Sequence, residues 1–306
     1  MNITKNIDII TPVENIGGML FKRDDLYQPF DDLPLNGGKI RQGYRIVSAL
    51  HDLIKEEYGG RVYSTCSLHS PQGIIITRVC KEFGIEATLF HGRTNFNSIT
   101  KNSFIRHILN CGGHVNIGCR SGFGNVVTSF INSFELTGYN IGFGINIDKD
   151  ELLCGDVECQ TQNLPDDLDN LVVPVGSGII AAAVLRGLTL YKKHVKNIHL
   201  IQISGHDYRS TIEGLCSGYD IPEYNFYISN DYPYAKAVRH VLADGTELDP
   251  IYEGKAYDYM LKYLPQCKAD GKTLFWIVGN TSEIRRTKVE TMQYTIDERQ
   301  TISLVR

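Results

Sequence analysis

Lys39 follows two glycines in Leu35-Asn36-Gly37-Gly38-Lys39-Ile40-Arg41, so a turn presents an amine to whatever lies beside it. Desolvation or nearby cations lower a lysine's pKa and make it a nucleophile, whereas a lysine left in water on the same loop is merely solvated. Gly176-Ser177-Gly178 follows the apolar run Leu171-Val172-Val173-Pro174-Val175 and precedes Ile179-Ile180-Ala181. A strand that enters a glycine turn and then a helix leaves first-turn N–H groups at the positive end of the helix dipole, where a phosphate fits. A tight turn without a ligand would read the same way. The motif is not GxGxxG, and Ile40 after Gly38-Lys39 rules out a Walker A loop. A second anion seat, suited to a carboxylate, is offered by Cys66-Ser67-Leu68-His69-Ser70-Pro71-Gln72, where hydroxyls cluster before a helix and Pro71 sits near its first turn. A serine-capped helix start with an incidental His69 is the plainer reading.

The elements that would position these residues alternate. Strands are expected over 61–66, 87–91, 114–117, 139–147, 171–175, 198–203 and 273–278. Helices are expected over 72–83, 101–111, 123–134, 179–191 and 253–264, the last just after Tyr252. Such alternation argues for parallel sheets covered by helices, with ligands at the carboxyl ends of the strands. The aromatic stretch 224–234 reads as packing, and Lys255 as a solvated helix residue.

The chain has 306 residues, about two domains at roughly 150 residues each. With 42% hydrophobic and 22% charged residues it is not a disordered sequence. No apolar run approaches the ~20 residues of a membrane-spanning helix, and the first residues lack the apolar core of a signal peptide. A net charge of −4 is not the footprint of a protein that binds nucleic acid mainly through phosphates. The eight cysteines are scattered without CxxC pairing, so no metal site is expected and reduced, mostly buried thiols of a cytoplasmic protein are.

Four segments together resemble the fold type II pyridoxal-phosphate (PLP) enzymes, the tryptophan synthase β-like group, and within it the 1-aminocyclopropane-1-carboxylate deaminase and D-cysteine desulfhydrase branch. They are Leu20-Phe21-Lys22-Arg23-Asp24-Asp25-Leu26, Asn36-Gly37-Gly38-Lys39-Ile40-Arg41, Val175-Gly176-Ser177-Gly178 and Leu248-Asp249-Pro250-Ile251-Tyr252-Glu253-Gly254-Lys255-Ala256. The resemblance implies an α/β protein of two three-layer, open twisted, mostly parallel sheet domains with PLP in the cleft between them. Residues 1–44 and 153–306 would form the large PLP-binding domain and 45–152 the small substrate-side domain. It implies a Schiff base on Lys39 and a phosphate held by Gly176, Ser177, Gly178 and Ile179. Asn280, or Thr281, would lie near the ring. Ser67, Leu68, His69, Ser70, Gln72 and Tyr252 would face the substrate, with His69 and Tyr252 joining Lys39 in catalysis. Members of the group are commonly homodimers.

The sequence departs from the group where substrate and ring are met. Leu68 stands where the family has Asn, Ile179-Ile180 where the phosphate loop continues Gly-Thr, and Val278-Gly279-Asn280-Thr281 where a His-Thr-Gly-Gly run is usual. The first reading is therefore a PLP-dependent lyase or deaminase acting at the Cα of a small amino acid. The second is a PLP-dependent decarboxylase or lyase acting on an amino acid attached to something larger, such as an amino-acid-modified thymine nucleotide in phage DNA hypermodification. A non-catalytic PLP-binding homologue and an unrelated nucleotide-binding α/β protein come after these, and the intact Lys39 beside its glycines weighs against both.

Overall fold

The structure, a computed structural model, describes residues 7–92, 95–120, 124–133, 136–147, 150–203, 206–287 and 293–305. The first six residues and the expected helix ends Phe123 and Phe134 lie outside them. In chain order the strands are β1 (Val13–Ile16), β2 (Met19–Arg23), β3 (Arg61–Thr65), β4 (Glu86–Phe90), β5 (His114–Asn116), β6 (Tyr139–Ile141), β7 (Leu168–Val175), β8 (Val195–Gln202), β9 (Asn225–Ile228), β10 (Thr273–Ile277), β11 (Tyr294–Ile296) and β12 (Thr301–Leu304). They form two six-stranded, mostly parallel sheets, so the protein is α/β.

The chain divides into two compact units, Thr4–Gln42 with Asp150–Ser282, and Gly43–Lys149 with Glu283–Arg306. In the first, which carries Lys39, the sheet order is β1-β2-β10-β7-β8-β9, parallel throughout except for the β1–β2 hairpin. All five residues of β10 and all but one of β7 are buried, as a parallel sheet covered on both faces requires. The helix Ile179–Leu190 is buried from Ile179 through Leu188, which accounts for its run of alanines and aliphatics. Because β2, β10, β7 and β8 run the same way, Arg23, Ile277, Val175 and Gln202 end on one edge, where the chemistry-bearing turns begin.

In the second unit the order is β11-β12-β5-β4-β3-β6, with β6, β3, β4 and β5 parallel and the last two strands antiparallel. The sequence reading placed the whole of 153–306 with Lys39. Pairing of β12 with β5, Thr301 against Asn116 and Ile302 against Val115, instead draws 283–306 into the unit that contains the 67–72 loop. The strand expected over 139–147 stops at Ile141. Gly142 bridges Asn146 across a tight turn, and the Gln72 amide grips that turn by donating to Gly142 O (3.0 Å) and accepting from Gly144 N (2.8 Å).

None of the eight cysteines is in a disulfide, and all but Cys111 and Cys159 are buried. Among the described residues no group of three or more His, Cys, Asp or Glu is placed to hold a metal, and no helix is long and apolar enough to cross a membrane.

Candidate active site

Lys39 opens the helix Gly38–Ala49, and its turn is clasped by the end of β10. Gly38 N donates to Val278 O at 2.9 Å, and Asn280 N donates to Asn36 Oδ1 at 2.7 Å. Gly37 has φ +108°, and a Cβ there would lie 2.6 Å from Val278 O and 2.8 Å from Gly279 Cα. Only glycine fits.

Three lysines are drawn into this unit's interior. Lys22 Nζ donates to Thr11 O (2.6 Å) and Asn163 Oδ1 (2.8 Å), and Lys255 Nζ to the carbonyls of Pro233 (3.2 Å) and Tyr234 (2.6 Å). Lys255 is therefore fully buried structure and not the solvated residue expected from sequence. The half-buried Lys39 has no hydrogen-bonding or ion-pair partner for its amine among the described residues. Burial lowers its pKa to about 8, and the charge of Glu253 opposes that shift. Glu253 is itself buried. It accepts from Val278 N at 3.2 Å, and burial together with Asp249 pushes its carboxyl well above the usual carboxylate range. An uncommitted amine with a lowered pKa is the form in which a lysine attacks a carbonyl or takes a proton.

The Lys22-Arg23-Asp24-Asp25 motif builds the floor beneath this helix. Asp24 accepts from Thr11 Oγ1 (2.6 Å) and Trp276 Nε1 (2.9 Å) and faces Arg41 Nη1 at 3.6 Å, while Arg41 stacks over the Tyr27 ring at 3.8 Å.

At the end of β7, Gln202 Nε2 donates to Val175 O (3.1 Å) and Gly176 O (3.2 Å) and holds the turn open. Gly178 caps the helix at φ +87°, and the first intrahelical bond is Ala182 N to Gly178 O. The N–H groups of Ile179, Ile180 and Ala181 and the hydroxyl of Ser177 have no acceptor or donor partner among the described residues. Four donors without partners at a helix start suit a phosphate dianion.

Tyr252 packs its ring on Gly176, with Cε1 3.7 Å from the position a Cβ would take. Its hydroxyl lies 2.6 Å from that of Tyr234, the two rings meeting edge to face. Asp249 fixes the Tyr252 turn: its carboxylate accepts from Ile251 N, Tyr252 N, Thr281 N and the Thr281 hydroxyl. Asn280 is spent in the same turn, donating to Glu247 O and accepting from Ser282 N at 2.8 Å. Tyr234 and Glu253 were missed in the sequence, Tyr234 because it sits in a stretch that reads as packing and Glu253 because an acid in a first helical turn reads as a dipole partner.

The other unit holds the 67–72 loop, between β3 and the helix Gln72–Glu82. The sequence suggested free N–H groups here. The structure uses them internally: His69 N donates to Ser67 Oγ (3.1 Å), Ser70 N to Ser67 O (3.2 Å) and Gln72 N to Ser70 Oγ (3.3 Å). The hydroxyl oxygens of Ser67 and Ser70 accept the first and last of these bonds, Leu68 and His69 are half-buried, and Gln72 is fully buried and committed to the turn at 142–144.

No family model matches the chain. The O-seryl-dTMP PLP-dependent decarboxylase of Salmonella phage ViI is 22% identical over 354 aligned positions, which span 91% of this chain and 82% of that protein. Among solved structures, an ACC deaminase homologue shares 20% identity over 89% of each chain with a TM-score of 0.65. A pyridoxal 5'-phosphate-dependent aspartate racemase shares 14% identity, covering 91% of this chain and 92% of its own, with a TM-score of 0.58.

Proposed function

We propose that this chain, whose fold is that of the fold type II PLP-dependent enzymes, is itself PLP-dependent and acts at the Cα of an amino acid carried on a nucleotide, as a decarboxylase or related lyase. The observation that carries the cofactor reading is the pairing, within one unit, of an uncommitted lysine amine with a helix start whose four donors suit a phosphate. Lys39 would hold the cofactor covalently, and Ser177 with the N–H groups of Ile179, Ile180 and Ala181 would hold its phosphate. When bound, PLP supplies an electron sink for negative charge developing at Cα. Lys39, with its amine near pKa 8, is the group able to give or take the proton there at neutral pH. The hydroxyl pair of Tyr252 and Tyr234 can pass a second proton, since each oxygen is both donor and acceptor.

Three features favour the conjugated over the free amino acid. The phage relative acts on an O-seryl nucleotide by its name and spans most of this chain. By sequence the unit with the 67–72 loop holds 15 Lys and Arg against 11 Asp and Glu, whereas the remainder holds 16 against 24. The overall acidic charge thus conceals a basic half, as an anionic substrate would require. Leu68 in place of a polar residue also removes a donor that small polar amino acids would use.

The decisive experiment is a screen of the holoenzyme with free amino acids, 1-aminocyclopropane-1-carboxylate included, against amino-acid–nucleotide conjugates, reading carbon dioxide and ammonia separately. Carbon dioxide from conjugates alone is the expected result. Ammonia from small free amino acids overturns the substrate reading, and absence of visible cofactor absorption at saturating PLP overturns the cofactor reading.

Ser177→Ala should weaken PLP binding about tenfold or more, the loss of one hydrogen bond to a charged group. Equal affinity of the parent for PLP and for pyridoxal would contradict the phosphate seat. Tyr252→Phe and His69→Ala should keep full cofactor content while turnover falls. Loss of cofactor with normal turnover per bound PLP would assign these side chains to the cofactor or the fold instead.

A further inference from the structure

The N–H groups of His69 and Ser70 are satisfied within the 67–70 loop, yet two of its carbonyl oxygens are held from outside. Asn102 Nδ2 donates to Leu68 O at 3.2 Å, and Arg285 Nη2 donates to His69 O at 3.0 Å. The two donors are themselves joined through one side chain. Asn102 Oδ1 caps the helix Ser103–Asn110 by accepting from Phe104 N (2.9 Å) and Ile105 N (3.2 Å), and the Arg285 guanidinium lies over the Phe104 ring at 4.6 Å. Phe104 is buried, so the platform on which Arg285 rests cannot swing away.

Leu68 O belongs to the peptide plane entering His69, and His69 O to the plane leaving it. Gripping both oxygens fixes φ and ψ at His69, and with them the direction in which its imidazole leaves the chain. The bond from His69 N to Ser67 Oγ then sets the Ser67 hydroxyl against the same frame. A helix cap needs only the Asn102 oxygen, and a stacked arginine needs no carbonyl, so neither local role accounts for two donors on consecutive carbonyls. We infer that Asn102 and Arg285 are positioning residues, a two-point clamp that fixes the backbone at His69 and so sets which substrate the loop accepts. The inference rests on the reading of this loop as substrate-facing.

The test uses cofactor-loaded protein with Arg285→Ala and Asn102→Asp. The second variant keeps a capping oxygen, removes the donor to Leu68 O and adds a carboxylate charge that the helix N-terminus accommodates. Hydrogen exchange at the amides of His69, Ser70 and Gln72 should quicken by about tenfold in each, the loss of one hydrogen bond with a charged or buried partner. Cofactor content and absorption should not change. For whichever compound the parent turns over, KM should rise about tenfold with kcat altered less. Added guanidinium ion should restore exchange protection and KM in Arg285→Ala and do nothing for Asn102→Asp.

Unchanged exchange in both variants overturns the clamp. Faster exchange with unchanged KM and kcat overturns its role in selection, and a global fall in melting temperature without a local change at 69–72 makes Arg285 an anchor for its own helix only. A parent inert toward every compound in the screen sinks the functional reading and the selection role with it, while the exchange data decide independently whether the clamp exists.

Discussion

Lys39→Met should fold into a protein that no longer fixes PLP covalently and turns over at least about 10²–10⁴-fold more slowly, and its apoprotein should be more stable than the parent at pH 7. The covalent part is read by borohydride reduction and peptide mapping: the parent carries the label on Lys39 and the variant carries none. The stability part follows from the sign of the pKa shift. The amine titrates at about 8 when folded and 10.5 when unfolded. Below pH 8 both states hold the proton, and the folded state bears the whole desolvation penalty. Between pH 8 and 10.5 only the unfolded state binds it, so parent stability rises with pH across that window. Methionine has no such proton, so the variant should lead by about 3 kcal/mol at pH 7, with the gap closing toward pH 10.5. Lys22, also lowered to about 8 by burial, titrates in both proteins and cancels in the difference. A label on Lys255, or a stability difference that is flat with pH, would refute the assignment.

Gly37→Ala should have the largest effect on folding. The new Cβ meets two backbone atoms, Val278 O and Gly279 Cα, neither of which can rotate aside as a side chain would. The strand end must then part from the lysine turn, breaking the bonds from Gly38 N to Val278 O and from Asn280 N to Asn36 Oδ1. Backbone strain at positive φ together with the clash should remove roughly 3–5 kcal/mol and most of the bound cofactor. Gly245→Ala is the control, because Gly245 has φ +91° but nothing within 4 Å of its Cβ position. It should lose only about 1 kcal/mol. Urea unfolding of the two variants decides: equal losses would mean that the turn is not clasped.

What was legible in the sequence was local. The glycine turn after β7 and the lysine beside Gly37-Gly38 announce themselves because strand, turn and helix are contiguous there, and the continuous apolar runs of β7 and β10 mark buried parallel strands. What was illegible depends on distant carbonyls. Gln72 and Asn280 look like ligand-binding amides, and nothing near them in the chain reveals that they serve Gly142 O, 70 residues on, and Glu247 O, 33 residues back. Lys255 looked solvated for the same reason, its two acceptors lying 21 and 22 residues away. Strands β11 and β12 were missed because they are short and mostly half-exposed, without the alternation that marks a sheet face.

The interleaving of the two units bears on how the chain is made. As the chain leaves the ribosome, β2 lacks its parallel neighbour until β10 emerges about 250 residues later, and the outer edge of β5 stays bare until β12 is synthesised. Neither sheet can close on a nascent chain that stops short of its last strands. Closure of either sheet thus waits on pairings distant in sequence, which makes folding slow. During that interval the Val115 edge is an unpaired strand, the kind of surface on which chains join one another. Expression at low temperature or with chaperones should raise the soluble yield more than it would for a protein whose units follow one another in sequence.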